Sequence, residues 1–178
     1  MNRRIFIILL LCITLLTLGC LAPGERQFIK GNKYFDKENW TKAIEQYTEA
    51  IEENPTLIEA YNNRAAAYNE IGKTDQAIAD ATKAIELDPE STIPYYNRSM
   101  YYIQNKEYDK AIADCDKVLE LGLNSAFVYL NRGIANTKKE NYMEALSDFN
   151  KALEISSNAE FEERVQGYIE EIENKLHN

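Results

Sequence analysis

The chain has 178 residues, 45% apolar and 28% charged, with seven Gly and four Pro. That is long enough for a domain with a sizeable core and poor enough in breakers to suit helices joined by short turns. Twenty basic against 29 acidic residues give a net charge of −9, which argues against nucleic acid and disfavours anionic membrane surfaces as electrostatic partners, and the single histidine, His177, argues against a His-based metal centre.

The N-terminus opens with a short basic segment, Met1-Asn2-Arg3-Arg4, followed by an uncharged run from Ile5 to Leu18, then Gly19-Cys20 and the turn-like Leu21-Ala22-Pro23-Gly24. This order of basic, apolar and small residues reads as an export signal over residues 1–19. Leu16-Thr17-Leu18-Gly19-Cys20 resembles a prokaryotic lipobox, which implies cleavage before Cys20 and a diacylglycerol on its sulfur. Thr17 and Leu18 match only the permissive form of that pattern. An uncleaved anchor is the alternative, because Ile5–Ala22 reaches the length of a short membrane span. Either way Arg3 and Arg4 stay inside and the rest is exported and attached to a membrane. Cleavage removes two cations and takes the balance to −11. Of the three cysteines, Cys12 lies in the signal and Cys20 is the lipidation candidate, so Cys115 stands alone and no internal disulfide is expected in the mature chain.

Past the signal, Ala43-Ile44, Ala77-Ile78, Ala111-Ile112 and Ala145-Leu146 recur at a spacing of 34 residues. A constant period of this size marks stacked repeats. With the alanine at position 20, the repeats are 24–57, 58–91, 92–125 and 126–159. Position 4 then reads Gln27, Tyr61, Tyr95, Tyr129, and position 8 reads Gly31, Ala65, Ser99, Gly133. Position 11 reads Tyr34, Tyr68, Tyr102, Asn136, position 24 reads Tyr47, Ala81, Cys115, Phe149, and position 27 reads Ala50, Ala84, Val118, Ala152. Positions 4, 8 and 11 share one face of a first helix, A; positions 20, 24 and 27 share one face of a second, B. Small residues at 8 and 20 predict close backbone approach, and Pro55 and Pro89 end helix B in the first two repeats. A single such pair cannot bury its apolar face, but a stack of four can.

These positions resemble the tetratricopeptide repeat family over residues 24–159. The resemblance implies an all-α, right-handed superhelical solenoid of four helix-turn-helix repeats with helix A lining a concave groove. Residues 160–178 break the period. Phe161, Val165, Tyr168, Ile169, Ile172 and Leu176 follow helical spacing opposite a face of six glutamates, which predicts a capping helix.

In the family, helix-A positions 2, 5, 6, 9 and 12 face the groove. The resemblance therefore assigns a partner-binding groove to Phe28, Asn32, Asn63, Tyr96, Asn97, Met100, Ile103, Phe127, Leu130, Asn131 and Ile134. Its apolar members in repeats 3 and 4 predict a binding patch, unless the last helix folds back over them or a second copy covers them. Asn63, Asn97 and Asn131 form a ladder suited either to a peptide backbone or to bonds within the stack. Lys30, Arg64, Arg98 and Arg132 form a basic ladder at position 7, best read as pairing with acids of neighbouring helices. Some family members hold a chaperone's carboxylate tail with cations and asparagines. Asn32 and Asn63 match that clamp, but Phe28, Ile93 and Asn97 replace its cations, so no clamp is expected.

No nucleophile with a base, phosphate loop or metal cluster is evident, so neither enzymatic activity nor a cofactor or metal is expected. The expected function is a membrane-tethered scaffold that binds an extended or helical apolar protein segment. The alternative is a self-assembly module, a homodimer formed through the patch of repeats 3 and 4.

Overall fold

A computed structural model describes residues 21–177; the signal segment 1–19 and the lipidation candidate Cys20 lie outside the described residues. Among the described residues there are nine α-helices and no strand: α1 Glu25–Phe35, α2 Trp40–Glu53, α3 Ile58–Glu70, α4 Thr74–Leu87, α5 Thr92–Gln104, α6 Tyr108–Glu120, α7 Ala126–Lys138, α8 Tyr142–Ile155 and α9 Ala159–Leu176. None of them is long and apolar enough to cross a membrane. The chain divides after Leu57 into two compact units.

The first unit is the hairpin of α1 and α2. Gly31 meets Tyr47 so closely that an added Cβ would lie 2.4 Å from the ring. Glycine at position 8 is therefore what lets an aromatic ring occupy position 24. Asn39 caps α2 by accepting from the Lys42 N–H at 3.3 Å.

The second unit stacks the hairpins α3–α4, α5–α6 and α7–α8, each packed on the next, and ends with α9 against α8. Size at position 8 again tracks size at position 24. Gly133 faces the Phe149 ring with room for no Cβ (2.6 Å), whereas Ala65 pairs with Ala81 and Ser99 with Cys115. Where both partners are small, as in repeat 2, Tyr101 of the next repeat fills the space against Ala65, Ala77 and Ala81.

Helix ends follow local chemistry. Repeat 3 lacks the proline that follows α2 and α4. It stops α6 with Gly122 at φ 90°, where the Leu123 and Gly122 N–H groups donate to the Val118 and Leu119 carbonyls at 3.2 and 3.0 Å. Repeat 4 also lacks the proline, and Asn158 starts α9 by accepting from the Phe161 N–H at 2.9 Å.

Candidate partner-binding site

The guanidinium ladder is structural. Arg64 donates through Nε and Nη2 to both oxygens of Asp80 at 2.7 and 2.8 Å, and Arg98 does the same to Asp114 at 2.8 Å each. Arg132 bonds Asp148 at 2.6 Å through Nη2 and Asp116 of the preceding repeat at 2.5 Å through Nη1. Arg98 likewise reaches back to Thr82 Oγ1 at 2.9 Å. Arg98 and Arg132 thus tie helix A to its own helix B and to the helix B before it, and Arg64 ties α3 to α4. Burial opposes the charge of Arg64 and Arg98, but the bidentate aspartates more than offset it and hold both above their ordinary range. The arginines also lie over tyrosine rings at positions 4 and 11, Tyr95 and Tyr102 in the case of Arg98. Repeat 4 has Asn136 instead of the second tyrosine, and its Nδ2 donates to Asp148 at 3.3 Å. The aspartates were missed in reading the sequence, although Asp80, Asp114 and Asp148 repeat at the same spacing of 34.

Apart from Phe127, the predicted groove residues separate into three groups. In the first unit, Phe28 is half-buried with its ring 5.9 Å from that of Tyr47, and the Asn32 carbonyl oxygen accepts from the Tyr47 hydroxyl at 2.8 Å. In the second unit, Asn63, Tyr96, Asn97, Met100, Ile103 and Ile134 are half-buried. Met100 packs beside Tyr101, Ile103 beside Tyr102, and Tyr96 beside Cys115, Val118 and Val128. Burial raises the Tyr96 hydroxyl above its ordinary range, opposed by a hydrogen bond with Asn131.

Leu130 and Asn131 form the third group and depart from the expectation of groove exposure. Leu130 is 5% exposed, inside a core cluster with Phe149, Phe161, Val165 and Ile169. The reason is α9, which folds over α7 and α8 and buries Phe161, Val165, Ile169 and Ile172 there. Asn131 is also buried, and its Nδ2 donates to Ser99 Oγ at 3.4 Å. This member of the asparagine ladder bonds within the stack.

What α9 leaves open is smaller and differently placed. Ile93 is 59% exposed and Phe127 51%. The Phe127 ring meets Phe161 of α9 edge-on at 5.0 Å. Both rings line a recess of about 630 Å³ between the start of α7, the end of α8 and the start of α9, together with Ala126, Ile155, Asn158, Glu160 and Arg164. The Arg164 guanidinium stands 5.4 Å from the Phe161 ring centre. The lining combines apolar side chains with polar and charged ones, a composition that suits an apolar side chain oriented by a few polar contacts.

A TPR repeat model matches residues 31–72, and two tetratricopeptide repeat models match 58–91 with 126–158, and 81–113. No curated protein sequence matches the chain. Among solved structures, the chain is similar to the MamA protein, with 29% identity, TM-score 0.70, and 74% of this chain and 72% of that one covered. It is 32% identical to the TPR2B domain of yeast Sti1 in a complex with pHsp70, with TM-score 0.55, covering 70% of this chain and 96% of that one. It is 27% identical to the first TPR of Spaghetti (RPAP3) bound to the HSP90 peptide SRMEEVD, with TM-score 0.58, covering 70% and 94%. With helical hairpins stacked at a 34-residue period and a 32% identical relative covered almost end to end, the chain belongs to the tetratricopeptide repeat family.

Proposed function

We propose that the chain is a non-enzymatic protein–protein interaction scaffold, attached to a membrane through Cys20 or an uncleaved anchor. Its helix-A face takes a helical or extended apolar segment of another envelope protein. Support comes from the Sti1 and Spaghetti domains, whose structures hold pHsp70 and an HSP90 peptide. The observation that carries the reading is the exposure of Ile93 and of Phe127, which lines the recess, in a stack whose other large apolar side chains at groove positions of repeats 3 and 4 are half-buried or buried. The HSP90 peptide SRMEEVD is acidic, and the clamp cations are replaced here by Phe28, Ile93 and Asn97, so apolar anchors are the better match to this surface.

The test is a photo-crosslinking amino acid placed at Phe127 in intact cells, with Asn150 on the exposed side of α8 as the control position. A discrete adduct is expected from position 127 and not from 150, with its yield falling about tenfold in Ile93→Asp. Identical adducts from both positions would sink the proposal, and an adduct with a second copy of the chain would replace it with the homodimer.

A further inference from the structure

In repeats 2, 3 and 4, positions 3 and 10 of helix A are buried: Ala60 and Ala67, Pro94 and Tyr101, Val128 and Ala135. Position 7 is an arginine bonded to an aspartate of its own helix B. In repeats 3 and 4, whose predecessors belong to the same unit, these positions lie on the side of helix A that faces the preceding repeat. In repeat 1 they are Arg26, Lys30 and Lys33, all exposed, and Lys37 in the following turn continues the row. At 100° per residue the four lie within a 60° sector. Position 23 of this repeat is Gln46, so Lys30 lacks the aspartate that the arginines have, and Gln46 Nε2 donates to Glu49 instead.

None of the four cations enters an ion pair or hydrogen bond among the described residues, whereas nine other lysines and arginines form ion pairs. The acids nearby form no ion pair with them among the described residues and leave the segment 21–44 with five cations against three acids. Glu25 accepts from the Ala22 N–H at 2.8 Å, and Asp36 and Glu38 sit at the end of α1 and in the turn after it.

The chain between Cys20 and this face is short and fixed. The Gly24 N–H donates to Glu53 at 2.9 Å, and the Glu25 N–H donates to the Ala22 carbonyl at 3.0 Å. Gly24 has φ 83°, and a Cβ there would lie 2.5 Å from the Ala50 carbonyl oxygen. Four residues span at most about 14 Å, so an anchor at residue 20 keeps α1 close to the headgroups. Leu21, 48% exposed, and the exposed Ile29 add apolar contact beside the cations.

We propose that this basic face of α1 docks on the anionic phospholipid surface of the membrane that anchors the chain. The inference rests on the membrane attachment proposed above. Anionic lipid is favoured over a protein occupant because the anchor brings the cations to it. Each basic residue near such a surface strengthens attraction on the order of fivefold, and the effect is screened by salt.

The test uses the full chain reconstituted into vesicles of phosphatidylcholine alone or with added phosphatidylglycerol. Flotation reads attachment, and acetylation of lysines followed by mass spectrometry reads docking. The references are Lys73, Lys106 and Lys138, which are exposed and outside every ion pair among the described residues. The chain is expected to float with both vesicles. Labelling of Lys30, Lys33 and Lys37 should fall about threefold or more only on the anionic ones, the references should not change, and high salt should restore reactivity. In Arg26→Glu with Lys33→Glu the vesicle dependence at Lys30 and Lys37 should vanish while flotation persists. Flotation without protection overturns docking and leaves attachment standing, and failure to float overturns both. Protection that appears equally in detergent and grows with protein concentration overturns docking in favour of contact between copies.

Discussion

Glu38, Gly72, Lys106 and Glu140 occupy the same turn position, 34 residues apart, and all have φ between 56° and 73°. An L-residue costs about 1 kcal/mol in this left-handed region, and only glycine escapes it. Lys106→Gly and Glu140→Gly should therefore each raise stability, by up to about 1 kcal/mol less the entropy that glycine adds to the unfolded chain. Gly72→Ala should lower it by a similar amount, because a Cβ there meets nothing within 4 Å and only the backbone is strained. Urea midpoints of the four proteins decide this. The sequence signalled the turn at one repeat in four, through Gly72; at the others a charged side chain hides the conformation. Cys115 is a second case in which burial sets chemistry. It is fully buried, and desolvation pushes its thiol from 9.0 up to about 12, against a hydrogen bond with Ser99. The unfolded chain ionises first, so the thiol leaves stability untouched below pH 9.0 and subtracts from it as pH rises toward 12. Between about pH 9 and pH 11, residues 21–178 should lose about 1.4 kcal/mol per pH unit more than the Cys115→Ala protein does, measured by urea unfolding. Parallel losses in the two proteins would refute the assignment.

At the scale of elements, the ion pairs differ by position rather than by kind. Arg98 and Asp114 are 15% and 7% exposed, whereas Lys83 and Glu86 are 47% and 59%. Asp114→Ala strands a guanidinium between α5 and α6 and should cost on the order of 3 kcal/mol. Glu86→Ala removes a solvated pair and should leave the urea midpoint unchanged. Equal effects would mean that the ladder does not tie the helices. Helix positions were legible because a constant period fixed the face of every residue, and for the same reason Arg64, Arg98 and Arg132 were read correctly as structural, whereas Lys30, read with them, forms no ion pair among the described residues. The fate of Leu130 was legible only as an alternative, the folding back of the last helix. Position 5 faces the groove in a bare repeat, and only the docking of α9 buries it. The sequence showed that α9 has an apolar face, but helical spacing carries no information about which neighbour that face will meet. Asn131 takes the second of the two roles open to its ladder, a bond within the stack, with Ser99 as its partner.

Across the molecule, charge is graded along the sequence. Residues 21–44 hold five cations and three acids, and residues 158–178 hold two cations and six acids. The net charge of −9 averages over that difference, so the expectation drawn from it does not distinguish the two ends. A partner is less legible than the fold because packing constrains core positions and leaves exposed ones such as Ile93 and Phe127 unconstrained. The matching of sizes at positions 8 and 24 has a consequence for how such a chain can grow. Gly31 with Tyr47 and Gly133 with Phe149 carry their compensation inside one 34-residue block, so a duplicated block arrives with its internal fit intact. Tyr101 reaches instead into the space left by Ala65 and Ala81 of the block before it. A copy of repeat 3 can follow a block with small side chains there, but behind Phe149 its tyrosine would compete with the ring for one volume. Gene duplication is thus free to copy these blocks, while side-chain volume dictates the order in which the copies can be read into a folded chain.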